Sequence, residues 1–312
     1  MRKFVISTSS FGIDNNPHIQ HLLQKGLQIV SNPYKRRLTE DEAMALLDNN
    51  VVGMIAGIEP LTERVLKSAK GLKVISRCGT GMDSVDLVAA KQLGMSVLNT
   101  PEAPAQAVAE LTMGLMLATL RQICQTDQAV RKGEWPRTQG GLLAAQTVGI
   151  IGLGHIGRRV ASLCHAFEAN VIAHDPYLDQ APTGVTLMPF DQLIAIADIV
   201  SLHVPYGPKL HHLLNVQAFT NMKPGAIVIN AARGGLVDEQ ALGEAINTGK
   251  LRAAALDAFE QEPYQGPLLE CNNIILSSHV GSLAKEARQN MEIEAAENLF
   301  HGLIKAGLIN DG

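Results

Sequence analysis

Short apolar runs alternate with helix-length stretches along nearly the whole chain, and that alternation restricts the fold to parallel α/β sheets. Before residue 100 the candidate strands are residues 3–7, 27–30, 51–56, 72–76 and 96–98. Thr39-Glu-Asp-Glu42 reads as a capping box opening a helix that runs to about residue 48, and residues 61–69 and 85–93 fit further helices. From residue 147 the alternation restarts with candidate strands at 147–151, 170–173, 199–202, 226–230, 252–256 and 273–277, punctuated by Pro205, Pro224 and Pro263.

Two α/β domains follow. Residues 1–99 and 285–312 predict a five-stranded, flavodoxin-like substrate domain, and residues 100–284 a six-stranded doubly wound nucleotide-binding domain inserted into it. One long helix is expected over residues 101–121. A last helix, at about 283–306, is expected to cross back onto the first domain, leaving a hinged cleft.

Composition agrees with this. A length of 312 residues suits two domains, and 46% hydrophobic content with only 4% aromatics implies an aliphatic, alanine-rich core of the kind parallel sheets have. A net charge of −4 with no basic stripe argues against nucleic acid as a main partner. Cys78, Cys124, Cys164 and Cys271 form no Cys-x-x-Cys pair and match no zinc spacing, so reduced thiols, a cytoplasmic setting and no metal are expected. The N-terminal apolar stretch ends at Ser7, too short for a signal peptide. The most membrane-like run, residues 112–120, falls short of the ~20 residues a span needs, so no membrane partner is expected.

Gly152-Leu-Gly154-His155-Ile156-Gly157 follows a strand and opens a helix, and Asp175 stands 18 residues after Gly157 at the end of the next strand. Each residue has its own physical task. Gly152 permits a tight turn, Gly154 lets the backbone approach a pyrophosphate, and Gly157 allows close helix–strand packing. The helix N-terminus adds positive partial charge. Asp175 would accept hydrogen bonds from ribose hydroxyls and repel a 2′-phosphate, which favours NAD over NADP.

Arg233, Glu262 and His279 each stand just past a candidate strand, and strand exits are where ligands bind in open α/β sheets. Reducing a keto acid needs a cation to hold a carboxylate, a proton donor for the developing alkoxide, and a group to orient that donor. Arg suits the first task through its planar fork. His suits the second, and a carboxylate on its other ring nitrogen suits the third. Taken singly, Arg233 could cap a turn, Glu262 could be solvated before Pro263, and His279 could be a satisfied histidine at a strand end.

Taken with their neighbours, these residues resemble the NAD-dependent D-2-hydroxyacid dehydrogenase family. The matching segments are the glycine loop with Asp175, Asn230-Ala-Ala-Arg-Gly-Gly-Leu-Val-Asp-Glu239, Leu256-Asp-Ala-Phe-Glu-Gln-Glu-Pro263, His279-Val-Gly-Ser282, Arg77-Cys-Gly-Thr-Gly-Met-Asp83 and Asn99-Thr-Pro101. The resemblance implies Arg233 as the substrate-binding cation, His279 as acid/base and Glu262, rather than Glu260, as its partner. It implies NAD held by the glycine loop with His155 and Ile156, by Asp175, and by His203, Pro205, Ala231, Asp257 and Gly281. Asp257 looks like the residue that holds the nicotinamide carboxamide. Arg77, Gly79, Gly81 and Asn99 are implied for a small 2-hydroxy or 2-keto acid substrate.

Within the family the motifs most resemble 3-phosphoglycerate dehydrogenases, in a short form without a C-terminal regulatory domain. One departure bears on the substrate: many of those enzymes carry an Arg after the third strand, where this chain has Ala56-Gly57-Ile58. Hydroxypyruvate, glyoxylate and 2-ketogluconate reduction therefore stay open, as does a different class, an NAD-binding co-repressor. Gly133-Glu-Trp135-Pro-Arg137 resembles a segment near the family's dimer contact, so a homodimer is expected, with Arg137 a candidate to reach the neighbouring subunit's site.

Overall fold

The apolar runs of the first hundred residues pair side by side as one parallel sheet. The structure, a computed structural model, describes residues 1–310. It separates into two units, Met1–Pro104 with the chain from Ala284 onward, and Ala105–Leu283. Residues 311 and 312 of the expected 285–312 segment lie outside the described residues.

The first unit runs β1 (Lys3–Ile6), α1 (Pro17–Gln24), β2 (Gln28–Ser31), α2 (Glu40–Leu46), β3 (Val51–Ala56), α3 (Glu63–Ser68), β4 (Val74–Arg77), α4 (Leu87–Gln92) and β5 (Ser96–Asn99). The strand order is β2-β1-β3-β4-β5, all parallel, which is flavodoxin-like. The capping box at α2 is formed: Thr39 Oγ1 accepts from Glu42 N, and Thr39 N donates to Glu42 Oε2 at 2.9 Å. The last helix, Lys285–Lys305, returns to this sheet as expected. Its Leu299 and Leu303 pack in one cluster with Phe4, Ile55 and Val74. Close approach depends on missing side chains. A Cβ on Gly53 would lie 2.6 Å from Leu299 Cδ1, and one on Gly302 2.6 Å from Val74 Cγ1.

The second unit begins with α5 (Ala105–Arg121) and α6 (Ile123–Arg131). It continues through β6 (Thr147–Ile151), α7 (His155–Ala166), β7 (Asn170–His174), β8 (Val185–Leu187), α8 (Phe190–Ile196), β9 (Ile199–Leu202), α9 (Val216–Asn221), β10 (Ala226–Asn230), α10 (Glu239–Asn247), β11 (Leu251–Leu256) and β12 (Ile274–Leu276). The sheet is parallel throughout, in the order β12-β11-β10-β9-β6-β7-β8. The chain builds outward from β6 in one direction and then from β9 in the other. The β6/β9 boundary is therefore the topological switch point.

Two expectations need correction here. The sheet has seven strands, not six, because β8 is a three-residue edge strand without an apolar run. The helix expected over 101–121 begins only at Ala105, since Pro104 bars the helical region to the residue before it. The chain then turns at Gln122, in left-handed conformation, into the separate α6. Helix α5 is buried over much of its surface against α7 and the sheet. Among the described residues no single helix is long and apolar enough to cross a membrane.

Candidate active site

The glycine loop leaves β6 at the switch point. Gly152 has φ 93°, and a Cβ there would lie 2.6 Å from His203 O, at the exit of β9. Only glycine tolerates both conditions. A Cβ on Gly157 would lie 1.9 Å from Gly152 O, so α7 can start against the loop only without a side chain at that position. Gly154 is different: a Cβ there would meet nothing within 4 Å. The space beside it is open, and a ligand could approach the backbone closely. His155 is the first residue of α7, and Ile156 packs its side chain on the apolar core beneath.

Asp175, just past β7, is fixed in place. Its Oδ2 accepts from Leu153 N at 2.9 Å and its Oδ1 from Tyr177 N at 3.0 Å. Between the glycine loop and this carboxylate lies a cavity of about 360 Å³ lined by Leu153, Gly154, His155, Arg158, Asp175 and Tyr177. An open glycine, a helix N-terminus and an acceptor across a cavity fit a dinucleotide. The pyrophosphate would lie over Gly154 and the ribose hydroxyls against Asp175.

His203 turns its ring inward. Nε2 shares a hydrogen bond of 2.9 Å with Ser201 Oγ, while Nδ1 is enclosed and makes no hydrogen bond. The residue keeps some surface, but burial around the ring pushes its pKa down to about 3. The imidazole is therefore neutral. Pro205, two residues on, is exposed, and Ala231 is buried at the exit of β10.

The exits of β10, β11 and β12 carry Arg233, Glu262 and His279. Asn230, a fully buried amide ending β10, ties the first of these turns. Its Oδ1 accepts from Ala232 N at 3.1 Å and its Nδ2 donates to Arg233 O at 2.8 Å. Arg233 is half-buried and donates from Nη1 to Ala232 O at 2.7 Å. A Cβ on Gly234 would lie 1.9 Å from Phe259 O, so the Arg233 turn rests backbone-to-backbone on the segment leading to Glu262.

Glu262 and His279 meet directly: Nδ1 of His279 lies 2.9 and 3.0 Å from the two carboxylate oxygens of Glu262. Glu262 Oε1 also accepts from Phe259 N at 3.1 Å, which fixes the carboxylate. With Nδ1 engaged, Nε2 is left for a reacting oxygen. Glu260 goes elsewhere, to His212 Nε2 at 2.5 Å.

His279 has a left-handed backbone, φ 55°. Buried Asp257 brackets it: Oδ1 accepts from Ser277 Oγ at 2.6 Å and Val280 N at 2.9 Å, and Oδ2 accepts from Gly281 N at 2.8 Å. Sequence reasoning did not single out Asn230, Gly234 or Ser277. The available signal was a polar residue closing an otherwise apolar strand at Asn230.

In the first unit, Arg77 ends β4 and its Nη1 donates to Cys78 O. The guanidinium lies over Gly79, where a Cβ would be 1.9 Å from Nη1, and Gly79 has φ 142°. Gly79 N donates to Thr100 Oγ1 at 2.8 Å, and Asn99 Nδ2 to Thr80 O at 2.8 Å, so the loop containing Gly79 and Gly81 is pinned to the β5 exit. After β3, the Gly57 amide donates to both oxygens of the buried Glu59 carboxylate at 3.1 Å, and Ser7 Oγ donates to the same group.

A doubly wound sheet with a glycine loop fit for a dinucleotide at its switch point defines a dinucleotide-binding class, and a histidine–carboxylate pair stands at neighbouring strand exits. Residues 113–281 match the family described as D-isomer specific 2-hydroxyacid dehydrogenase, NAD binding domain. The D-3-phosphoglycerate dehydrogenase of Methanocaldococcus jannaschii is 41% identical over 283 residues, covering 88% of this chain and 54% of that protein. The hydroxypyruvate reductase of Thermotoga maritima is 38% identical over 272 residues, covering 85% of this chain and 89% of that one. A glyoxylate reductase structure from Paecilomyes thermophila superposes with a TM-score of 0.89 at 27% identity, covering 99% of this chain and 97% of that chain. The chain thus belongs to the D-isomer specific 2-hydroxyacid dehydrogenases, an NAD-binding family. It spans about half the length of the phosphoglycerate dehydrogenases it matches.

Proposed function

We propose that this protein interconverts a small D-2-hydroxy acid and its 2-keto acid with NAD(H). The observation that carries the reading is the His279–Glu262 pair, at 2.9 and 3.0 Å, on the same end of the sheet as the Arg233 turn and the glycine loop. NAD, when bound, accepts a hydride from the alcohol carbon, and NADH returns one to the ketone carbon. Gly152, Gly154, Gly157 and Asp175 would hold it. Arg233 binds the substrate carboxylate and polarises the carbonyl. His279 Nε2 gives a proton to the developing alkoxide in reduction and takes it back in oxidation. Glu262 fixes the ring and offsets its positive charge. Arg77, Gly79, Gly81 and Asn99 are assigned to substrate binding from the resemblance.

For the substrate, the Arg77 motif and the 41% identity to a phosphoglycerate dehydrogenase support 3-phosphohydroxypyruvate and its hydroxy acid. A second reading, unphosphorylated hydroxypyruvate, is favoured by Glu59. Residues 56–59 after β3, Ala-Gly-Ile-Glu, include no cationic side chain, and the Glu59 carboxylate is buried and accepts from the Gly57 amide. We take the functional unit to be a homodimer, supported by the exposed Trp135.

Turnover of 3-phosphohydroxypyruvate, hydroxypyruvate, glyoxylate and 2-ketogluconate with NADH and with NADPH tests the reading. A preference for NADH and high efficiency on one of the four is expected. NADH binding with poor turnover of all four would instead favour a co-repressor.

A further inference from the structure

Away from the His279–Glu262 pair, a second cluster of metal-ligating side chains forms at the exits of β9 and β11. His211, His212 and Glu260 each bring one ligand atom to within 4.8 Å of the others. Sequence spacing does not reveal the group, because the two histidines precede α9 and the glutamate follows β11.

The backbone brings the two histidine rings together. Neighbouring side chains on an extended strand point to opposite sides. His212 instead adopts φ 51°, rare for a residue other than glycine, and the two imidazoles stack with centroids 3.8 Å apart. The left-handed turn is tied down by His212 N, which donates to Gly235 O at 2.7 Å.

Each ring also has a polar neighbour outside the cluster. Tyr206 Oη lies 3.3 Å from His211 Nδ1. Asp238 Oδ2 lies 3.7 Å from His212 Nδ1, on the far side of a ring whose Nε2 faces the Glu260 carboxylate. At 3.7 Å Asp238 does not hydrogen-bond to this ring, but it stands on the side where metal sites place an orienting carboxylate. Two imidazoles with one carboxylate form a donor set suited to zinc, whose tetrahedral ligands stand about 3.4 Å apart. His212 Nε2 and Glu260 Oε1, hydrogen-bonded at 2.5 Å, must part to admit an ion, and the exposed side chains of His211 and Glu260 have the freedom to adjust to that spacing.

We propose that His211, His212 and Glu260 form a zinc-class metal site, completed by water, that clasps the segment after β9 to the segment after β11. Nothing in this site belongs to the proposed reaction, so its test needs no turnover.

Untagged full-length protein is titrated with Zn²⁺ by calorimetry and with Co²⁺ by visible absorption, alongside His211→Ala and Glu260→Gln. Both variants change exposed side chains, and circular dichroism confirms that each is folded. Wild type should bind one equivalent saturably, give the absorption of tetrahedral Co²⁺, and melt higher with Zn²⁺ present. Each variant should bind roughly tenfold more weakly or worse and lose the absorption band. Absence of one-to-one binding in wild type, or unchanged affinity in either folded variant, would overturn the proposal.

Discussion

At His279 a left-handed backbone and an exposed ring are held by two different carboxylates. Asp257 fixes the backbone through Ser277, Val280 and Gly281, and Glu262 fixes the ring. The two should fail differently when replaced. Asp257→Asn keeps one acceptor oxygen, so at least one of three bonds to a buried charged group is lost. Such a bond is worth about 1.5–3 kcal/mol. A lower melting temperature and a reduced kcat are expected, with NADH affinity nearly unchanged by fluorescence titration. If affinity falls while stability holds, Asp257 acts on the cofactor instead, as its family resemblance implies. His279→Gln should lower kcat by roughly 10²–10⁴-fold, the range for a general acid, and spare NADH binding. Glu262→Gln keeps an acceptor beside the ring, so it should lower kcat less and also spare NADH binding. Steady-state rates and NADH titration of both variants decide it: wild-type kcat in His279→Gln, or a larger loss in Glu262→Gln than in His279→Gln, sinks the assigned pair.

The loop between β6 and α7 separates fold from function within one element. Gly157→Ala would drive a Cβ to 1.9 Å from Gly152 O, so the loop must move, and melting temperature and NADH affinity should both fall. Gly154→Ala meets no protein atom within 4 Å, so melting should be unaffected while the added methyl occupies the space assigned to the pyrophosphate. Scanning calorimetry and NADH titration of the two variants check this, and a stability loss at Gly154 would contradict it. Elements like β6 were legible in the sequence because a strand buried on both faces is a continuous apolar run ended by glycine or proline. β3, β6, β9 and β10 coincide with their expected residues. β8 was not legible, since Val-Thr-Leu at a sheet edge carries no such run, and nothing in Arg121-Gln122-Ile123 signals the break before α6. In the candidate site, residue types at strand exits could be read, but their partners could not. The bonds from Asp257 to Ser277, Val280 and Gly281 span 20 to 24 residues, and only the folded chain shows that Glu262 turns to His279 while Glu260 turns to His212.

For the molecule as a whole, α6 and the segment after it present apolar groups that the second unit does not cover. No residue of α6 is buried, Ile123 is 54% exposed, and beyond the helix Trp135 and Leu142 are 80% and 68% exposed. A helix with no fully buried residue gains little by folding alone, because most helical stability comes from packing an apolar face. Single apolar residues on a surface need no explanation, whereas a contiguous apolar patch is what an interaction site presents. In the homodimer proposed above, a second copy of the chain would cover this segment and supply the missing burial, and Trp is among the residue types enriched in interface anchors. Trp135→Glu should therefore weaken self-association by at least 2 kcal/mol, roughly thirtyfold in dissociation constant. Its own fold should be intact, because the side chain makes few contacts within the chain. Sedimentation equilibrium and melting of both proteins test this together. A dimer as tight as wild type, or a wild type that is monomeric at micromolar concentration, would remove the role assigned to Trp135. A variant that is monomeric and equally stable would place the contact on this segment.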